Sequence, residues 1–197
     1  MNTFIKSLKK YSTLNFPVNE VSTFIMESDI QKSSLTKYEH FSKKMYARNR
    51  IYKDEHFEIL LLCWLPNQMA PIHGHEGEKC WFKVLNGSLQ VCNYSLQSTN
   101  PLSLILNEKI DASMGYVDGP ADIHSIENCS QDPVSTLHIY TKPYDTCAVY
   151  DLKKKRIDRL EMLYHSIDGK LCSKFLFFFL LQLIHFYLLK IATIKFT

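Results

Sequence analysis

The sequence predicts a mainly β protein: a small barrel or sandwich of short strands, preceded by short N-terminal helices and followed by an apolar C-terminal segment. Short segments rich in β-branched and aromatic residues, each bounded by turn residues, dominate the middle of the chain. These segments are residues 46–52, 56–64, 81–85, 88–95, 102–106 and 134–140. A chain of 197 residues, 46% apolar and 22% charged, can form one domain with a sizeable core.

Residues 1–45 are predicted to be helical and to pack on the barrel. Apolar side chains recur there among polar ones: Leu8, Val21, Phe24 and Ile25. Ser33 or Ser34 is expected to cap a further helix over residues 35–44, because a serine oxygen can accept a hydrogen bond from a free backbone amide of the first turn.

A histidine pair lies in the most informative stretch of the chain, residues 71–87. His73 and His75 are two residues apart in an expected strand, where alternate side chains share a face, so both imidazoles can reach one metal ion. A bare pair of this kind is more often two unremarkable strand histidines. The pair therefore predicts a metal site only in combination with further ligands elsewhere in the chain.

The residues that follow the pair predict a β-hairpin. Aromatic and β-branched side chains at Trp81, Phe82 and Val84 lead into Asn86 and Gly87, a dipeptide typical of two-residue hairpin turns. This pattern places the histidine pair on a rigid sheet.

A third histidine, His124, begins the pattern His-x-x-x-Asn with Asn128, after the turn-rich residues 115–120. Alone, His124 would be an ordinary loop histidine with its own hydrogen bonds, but the earlier pair reverses that preference. Three neutral imidazoles would leave the charge of a divalent iron unneutralised and part of its coordination sphere open. Such a site suits an anionic ligand such as a thiolate.

The histidine spacing resembles the motifs of the cupin barrels. His73-x-His75, Cys80 and Gly87 resemble the first motif, in which a glutamate usually stands where this chain has Cys80, and His124 resembles the second. Residues 46–172 together resemble the cysteine dioxygenases, thiol-oxidising cupins that hold iron with three histidines. The resemblance rests on YARN, ILLLCW, HGHEGEKC, DIHSIEN, TLHIY and YDTC in this order. It implies a small cupin (jelly-roll) barrel as the catalytic domain.

This resemblance implies the ligands and a protein-derived cofactor. His73, His75 and His124 would bind Fe(2+). Cys80 falls on the family's cysteine that forms a thioether with a tyrosine beside the iron, and Tyr140 falls on that tyrosine. Such a crosslink would fix the phenol ring and tune its acidity.

Thr136, His138 and Tyr140 are each two residues apart and so share one strand face, which permits a relay of hydrogen bonds. The resembled family usually has serine where Thr136 stands, and the hydroxyl is kept. The alternative is an alternating strand whose polar residues face solvent.

Arg48 bears on the choice of substrate. The resemblance places its guanidinium, a planar fork of two donors, on the α-carboxylate of L-cysteine, with the hydroxyl of Tyr46 assisting. The related mercaptopropionate dioxygenases typically have glutamine there. A solvated strand arginine is the alternative, and Arg50 lies nearby. Cys147 corresponds to a pocket cysteine near the substrate.

One departure from the family follows Tyr140. Many members have a cis serine–proline bond there, whereas this chain has Thr141 and Lys142. A cis bond before a residue other than proline costs roughly 2.5 to 4 kcal/mol, so either the bond is trans or the fold enforces it.

The implied reaction joins L-cysteine and O2 to give cysteine sulfinic acid. The alternatives are a dioxygenase for another small thiol, such as 3-mercaptopropionate or cysteamine, and a catalytically inactive cupin that binds a metal or thiol. A net charge of +3 is too small to indicate nucleic acid, and the basic residues 153–156 lack interleaved aromatics, typical of a solvated face. We expect a monomer.

The six cysteines are scattered without CxxC spacing, and the N-terminus has no apolar stretch typical of a secretory signal, so a reducing cytoplasm is expected. The C-terminal residues 173–197 depart from the family. Residues 175–189 are apolar except for Gln182 and His185, shorter than the about 20 residues that a spanning helix needs unless residues 190–194 join them. A tail anchor, an altered reading frame and a partner-packing helix all remain open.

Overall fold

A computed structural model describes residues 1–120 and 122–172. Its helical part consists of α1 (Asn2–Ser12) and α2 (Val18–Glu27), followed by two 3-10 turns, Lys32–Ser34 and Thr36–Tyr38. The further helix predicted over residues 35–44 is wrong. No side chain of the described residues caps the turn Thr36–Tyr38, and the chain leaves the helical conformation at Glu39. The Ser34 hydroxyl donates back to the carbonyl of Gln31 at 2.7 Å.

The described remainder of the chain is β-structure in two sheets, which confirms the predicted fold class, and each of the six predicted segments overlaps a strand. The strands are β1 (Ala47–Lys53), β2 (Glu58–Trp64), β3 (Met69–Gly74), β4 (Lys79–Asn86), β5 (Ser88–Thr99), β6 (Leu102–Ser113), β7 (Val117–Asp118), β8 (Ile123–Glu127), β9 (Val134–Thr141), β10 (Thr146–Asp151), β11 (Arg156–Glu161), β12 (Ser166–Ile167) and β13 (Lys170–Leu171). One sheet has the order β13-β12-β1-β2-β9-β4-β7, and the other β11-β10-β3-β8-β5-β6.

The hairpin predicted at Asn86 and Gly87 is wrong. β4 pairs with β9 and β7, whereas β5 pairs with β6 and β8, so the turn carries the chain from one sheet to the other. The Asn86 side chain is bound to the start of β9, accepting from the Ser135 amide at 3.0 Å and donating to the Pro133 carbonyl at 3.1 Å. Gly87 has φ +72, and a Cβ there would lie 2.7 Å from a methyl of Val134.

β2 lies at the centre of the seven-stranded sheet and is buried along its whole length. Its alternate residues enter two different cores, which explains the continuous apolar run. Ile59 and Leu61 face the helices and pack with Leu8 and Val21. Leu60, Leu62 and Trp64 face the space between the sheets, together with Phe82, Val84 and Ile126. The site described below opens into this second core.

Two further predictions concern the basic residues and the tail. Residues 153–156 are exposed at the turn from β10 into the start of β11, in agreement with a solvated face. Within the described residues, no helix is both long and apolar enough to cross a membrane. The tail predictions fall on residues 173–197, which lie outside the described residues, and the monomer stays a prediction.

Candidate metal centre

Three histidines converge between the sheets. His73 is in β3 and His75 follows directly after that strand, while His124 lies in β8 as the cross-strand partner of His73. Each offers a nitrogen within 4.8 Å of the others, and the ring centroids are 4.8 to 5.1 Å apart. All three are buried. The cluster therefore combines two separate sequence motifs in one place.

Backbone carbonyls orient two of these rings. The Nδ1 of His73 lies 2.8 Å from the Pro71 carbonyl, and the Nδ1 of His75 lies 3.0 Å from the Asp122 carbonyl. A carbonyl can only accept, so each Nδ1 carries the hydrogen and each Nε2 keeps its lone pair for a ligand. His124 faces a carboxylate instead, with Nδ1 4.0 Å from Oδ2 of Asp118.

Burial disfavours the charged form of two of these imidazoles. Burial, followed by the neighbouring His75, lowers the pKa of His73 to about 3. Burial also lowers the pKa of His124 well below its usual value. Three buried imidazoles, with no carboxylate among the converging ligand groups of the described residues, fit a divalent transition metal whose remaining positions are open to other ligands.

The predicted relay residues lie side by side on β9. Oγ1 of Thr136 is 2.9 Å from Nε2 of His138, and the Tyr140 hydroxyl is 3.3 Å from Nδ1 of His138. All three side chains are at most 2% exposed, so the alternative in which they face solvent is wrong. Phe82 stacks on the His138 ring at 5.1 Å between centroids and 15° between planes, which holds the ring in place.

Trp64 favours one direction of this hydrogen-bond chain. Its indole N–H, which can only donate, lies 3.0 Å from Oγ1 of Thr136. Thr136 thus accepts from Trp64 and keeps its own hydrogen, for which Nε2 of His138 is an acceptor within reach. In that arrangement the hydrogen on neutral His138 sits on Nδ1 and points at the oxygen of Tyr140. The Tyr140 hydroxyl hydrogen can then point into the space between the sheets.

Cys80 and Tyr140 are direct cross-strand partners on β4 and β9 and are both almost fully buried. Burial raises the pKa of the Cys80 thiol and of the Tyr140 phenol well above their usual values. Both groups therefore keep their protons near neutral pH. The adjacent Thr141–Lys142 bond is cis, as in the resembled family, although its second residue is a lysine where that family has a proline.

Arg48 lies in β1 and is only 5% exposed, so the alternative of a solvated strand arginine is wrong. Its guanidinium stands over the Tyr140 ring at 5.6 Å and 3.7 Å from Oε1 of Glu58, measured from Nη2. Within residues 1–120 and 122–172, neither Nε nor Nη2 of Arg48 has a hydrogen-bond acceptor. A buried guanidinium with an open two-donor edge matches a carboxylate.

Tyr46 and Cys147, the other two predicted substrate-binding residues, are both buried but pack against different side chains. Tyr46 is buried and stacks on the Trp64 ring at 4.4 Å between centroids. Cys147, in β10, is buried, and its Sγ lies 3.3 Å from Sδ of Met162. Burial raises the pKa of the Cys147 thiol. The thiol is thus a protonated, packed group.

Comparison with known proteins decides the family. The family model described as cysteine dioxygenase type I matches residues 4–153. The chain belongs to this family. Curated relatives named cysteine dioxygenase type 1 include that of Homo sapiens, 25% identical over 77% of this chain and 78% of the relative, and that of Danio rerio, 24% identical over 86% and 88%.

Solved structures also match. An RmlC-like cupin protein from Desulfovibrio desulfuricans is 16% identical, with a TM-score of 0.43 over 59% of this chain and 100% of that chain. Membership of the cysteine dioxygenase type I family, which comprises non-haem iron enzymes, supports a thiol dioxygenase activity for this chain.

Three residues of this cysteine dioxygenase family site were missed at the sequence level. Glu58 is fully buried beside Arg48, and its signal was a lone acid in an apolar run. Trp64 is the last residue of the motif ILLLCW, but the sequence indicated no role for it. Tyr144 lies 5.4 Å from Tyr140 and 6.4 Å from His75 between ring centroids, and no hydrogen-bond partner for its buried hydroxyl is found among the described residues. Nothing in its spacing indicated that position.

Proposed function

We propose that the protein is an iron-dependent cysteine dioxygenase, which converts L-cysteine and O2 to cysteine sulfinic acid. The observation that carries this proposal is the open donor edge of buried Arg48 beside three converging imidazoles. The reaction RSH + O2 → RSO2H balances by itself, because the sulfur supplies all four electrons that dioxygen takes up. No external reductant is required.

His73, His75 and His124 would hold the iron, and its fit rests on their buried, converging nitrogens. Bound there, iron(II) would bind the thiol sulfur and supply the one-electron chemistry that dioxygen requires. The absence of a carboxylate ligand leaves more positive charge for an anionic sulfur than a site with two histidines and a carboxylate would.

The chain's own residues would position the substrate. Nε and Nη2 of Arg48 would donate to the carboxylate of cysteine, and burial strengthens such charge-assisted hydrogen bonds. Tyr46 would assist with its hydroxyl. This arrangement orients the thiol end of the substrate away from Arg48 and towards the three histidines.

Tyr140 would hold a proton at the reacting end of the substrate. Its oxygen accepts from His138, so its hydrogen can point to a sulfur or oxygen atom of the bound reactants. Thr136 and Trp64 would keep His138 in the tautomer that this arrangement needs. Cys147 would line the pocket without ionising.

We include a thioether between Cys80 and Tyr140 in the proposal, supported by their direct cross-strand pairing. Its formation removes one hydrogen from the thiol and one from the ring, and dioxygen takes up both and is reduced to hydrogen peroxide. Intact-mass measurement after turnover should then show a protein lighter by two hydrogen atoms. An unchanged mass in active protein would remove the crosslink from the account.

The test of the function uses the full chain, loaded with iron(II) without oxygen and then given cysteine in air. We expect one cysteine sulfinate for each O2 consumed, and no uptake after iron is removed with a chelator. Uptake that survives complete iron removal, or bound iron with no uptake for cysteine, 3-mercaptopropionate or cysteamine, would contradict the proposal. The second result would favour the inactive cupin.

A further inference from the structure

Glu58 is a buried acid that the proposed reaction leaves without a role. It begins β2, is 0% exposed, and is the direct cross-strand partner of Tyr140 on β9. Directly opposed residues of two strands project to the same side of a sheet, so Glu58 and Tyr140 share a face. The carboxylate therefore lies beside the site. Its negative charge is buried there and needs a cation or hydrogen-bond donors to compensate for the loss of water.

The two oxygens of Glu58 differ in their partners. Oε2 accepts from the Tyr164 hydroxyl at 2.6 Å, and that hydroxyl in turn accepts from Nζ of Lys53 at 3.2 Å. Oε1 is 3.7 Å from Nη2 of Arg48 and has no hydrogen-bond donor in the described part of the chain. The Tyr164 bond thus fixes the carboxylate, and Oε1 remains an unused acceptor.

A substrate carboxylate changes the balance of charge at Arg48. Arg48 and Glu58 neutralise each other, yet the open edge of the guanidinium is still available for a second carboxylate. When that carboxylate binds, two carboxylates face the single guanidinium of Arg48 at this end of the pocket. A group that donates an N–H to Oε1 would relieve this imbalance.

We propose that Glu58 is a specificity-determining residue that accepts a hydrogen bond from the amine of the substrate through Oε1. The pocket then selects a small thiol that carries both a carboxylate and an amine, and it disfavours a desamino thiol such as 3-mercaptopropionate. This inference rests on the proposed function and deepens it. The amine offers N–H donors whether it is a free ammonium group or holds a metal ion.

The test is binding without dioxygen. The full chain is loaded with iron(II) under anaerobic conditions, and dissociation constants for cysteine and 3-mercaptopropionate are measured by titration calorimetry. The native protein should prefer cysteine. In Glu58→Gln the ratio of the two constants should move towards 3-mercaptopropionate by about tenfold, because one charge-assisted hydrogen bond is lost and one buried anion is removed.

Two further variants separate recognition from support of the fold. Glu58→Asp keeps the charge and should retain part of the preference. Tyr164→Phe removes the hydrogen bond to Oε2 and leaves the charge on Glu58, so the native preference should largely persist. If Tyr164→Phe shifted the ratio as far as Glu58→Gln does, Glu58 would be a structural residue and the proposal would be overturned.

Glu58→Gln leaves the Arg48 charge buried without its partner, which can prevent folding. The double variant Arg48→Gln/Glu58→Gln removes both charges and is compared with Arg48→Gln alone, after circular dichroism has shown that both are folded. A further drop in preference for cysteine in the double variant supports the role of Glu58. An identical ratio in the two variants overturns it.

The outcomes also distinguish this inference from the proposed function. A protein that binds cysteine with a Glu58-dependent preference but consumes no O2 supports the inference and refutes the dioxygenase. A protein that forms cysteine sulfinate, and whose Glu58→Gln variant keeps the native ratio, supports the dioxygenase and overturns the inference.

Discussion

The two sheets contribute different groups to the site and hold them by different means. The six-stranded sheet supplies the imidazoles, and two of these are oriented by main-chain carbonyls, those of Pro71 and Asp122. The seven-stranded sheet supplies Arg48, Glu58 and the β9 relay, which are held by other side chains. Metal binding should therefore tolerate changes in the opposite sheet, whereas substrate binding and proton placement should respond to each neighbouring side chain.

The largest loss of activity should follow from removing a metal ligand of the six-stranded sheet. His75→Ala removes one of three ligands, and we expect loss of most bound iron together with a fall in kcat/KM for cysteine of at least about a hundredfold. Iron content by elemental analysis and O2 uptake measure this. The matched variant in the other sheet is Arg48→Gln, which should keep its iron. A His75→Ala protein with full iron content would show that the cluster is not the metal site.

The second effect concerns Arg48 alone. Arg48→Gln should lower kcat/KM for cysteine by about a hundredfold, because a bidentate charge-assisted contact with the carboxylate is lost. Cysteamine has no carboxylate, so its kcat/KM should change much less. Steady-state kinetics with both thiols makes the comparison, and equal losses for the two would remove Arg48 from carboxylate binding.

A smaller effect should follow from Trp64→Phe. The ring contact with Tyr46 is kept, but the Thr136 oxygen loses the donor that occupies one of its lone pairs, which makes acceptance from His138, and so a reversed relay, more favourable. We expect kcat to fall by about tenfold while KM for cysteine changes little.

The matched pair for this prediction is Thr136→Ser and Thr136→Val. Serine keeps the hydroxyl and should lose much less activity than valine. If Trp64→Phe raised KM and left kcat unchanged, Trp64 would act through substrate binding, and the direction of the relay would lose its support.

The smallest effect concerns the turn that joins β1 and β2. Asp54 accepts hydrogen bonds from the Tyr52 hydroxyl at 2.6 Å and from the amides of His56 and Phe57 at 2.9 and 3.0 Å. Burial by itself would raise the pKa of Asp54, but these hydrogen bonds outweigh it and lower the pKa below its usual 3.8. The carboxylate thus stabilises the fold above about pH 4, and this contribution is lost as the pH falls through the lowered pKa.

Asp54→Ala should therefore reduce the free energy of unfolding by about 1 kcal/mol at pH 7. The difference between variant and native protein should shrink towards pH 3. Urea denaturation at several pH values measures it, and the iron content should not change. A difference that stays constant down to pH 3 would show that the charge of Asp54 makes no contribution.

The contrast between the sheets also explains what the sequence could predict. His73 and His75 are neighbours in the chain and His124 carries its own short motif, so local patterns and the family resemblance together indicated the cluster. Thr136, His138 and Tyr140 share one strand, and their spacing predicted one face. Each pattern lies within a few residues of sequence, whereas the pairing of β3 with β8, which brings His124 to the other two histidines, was indicated by the family resemblance alone.

Glu58 and Trp64 could not be predicted in this way. Their roles depend on partners in other strands, 10 residues before Glu58 in the case of Arg48 and 72 residues after Trp64 in the case of Thr136. The same reason explains the wrong hairpin, because Asn86 is bound to β9 and the turn therefore joins two sheets. The helix predicted over residues 35–44 is wrong because this segment forms a single uncapped 3-10 turn and leaves the helical conformation at Glu39.

The most direct test of the account is the source of the oxygen in the product. The full iron-loaded chain is given cysteine in an atmosphere of oxygen-18 gas, and the product is analysed by mass spectrometry. A dioxygenase places both labelled atoms in one molecule of cysteine sulfinate. Product that carries one label or none, with the remaining oxygen from water, would contradict the dioxygenase account.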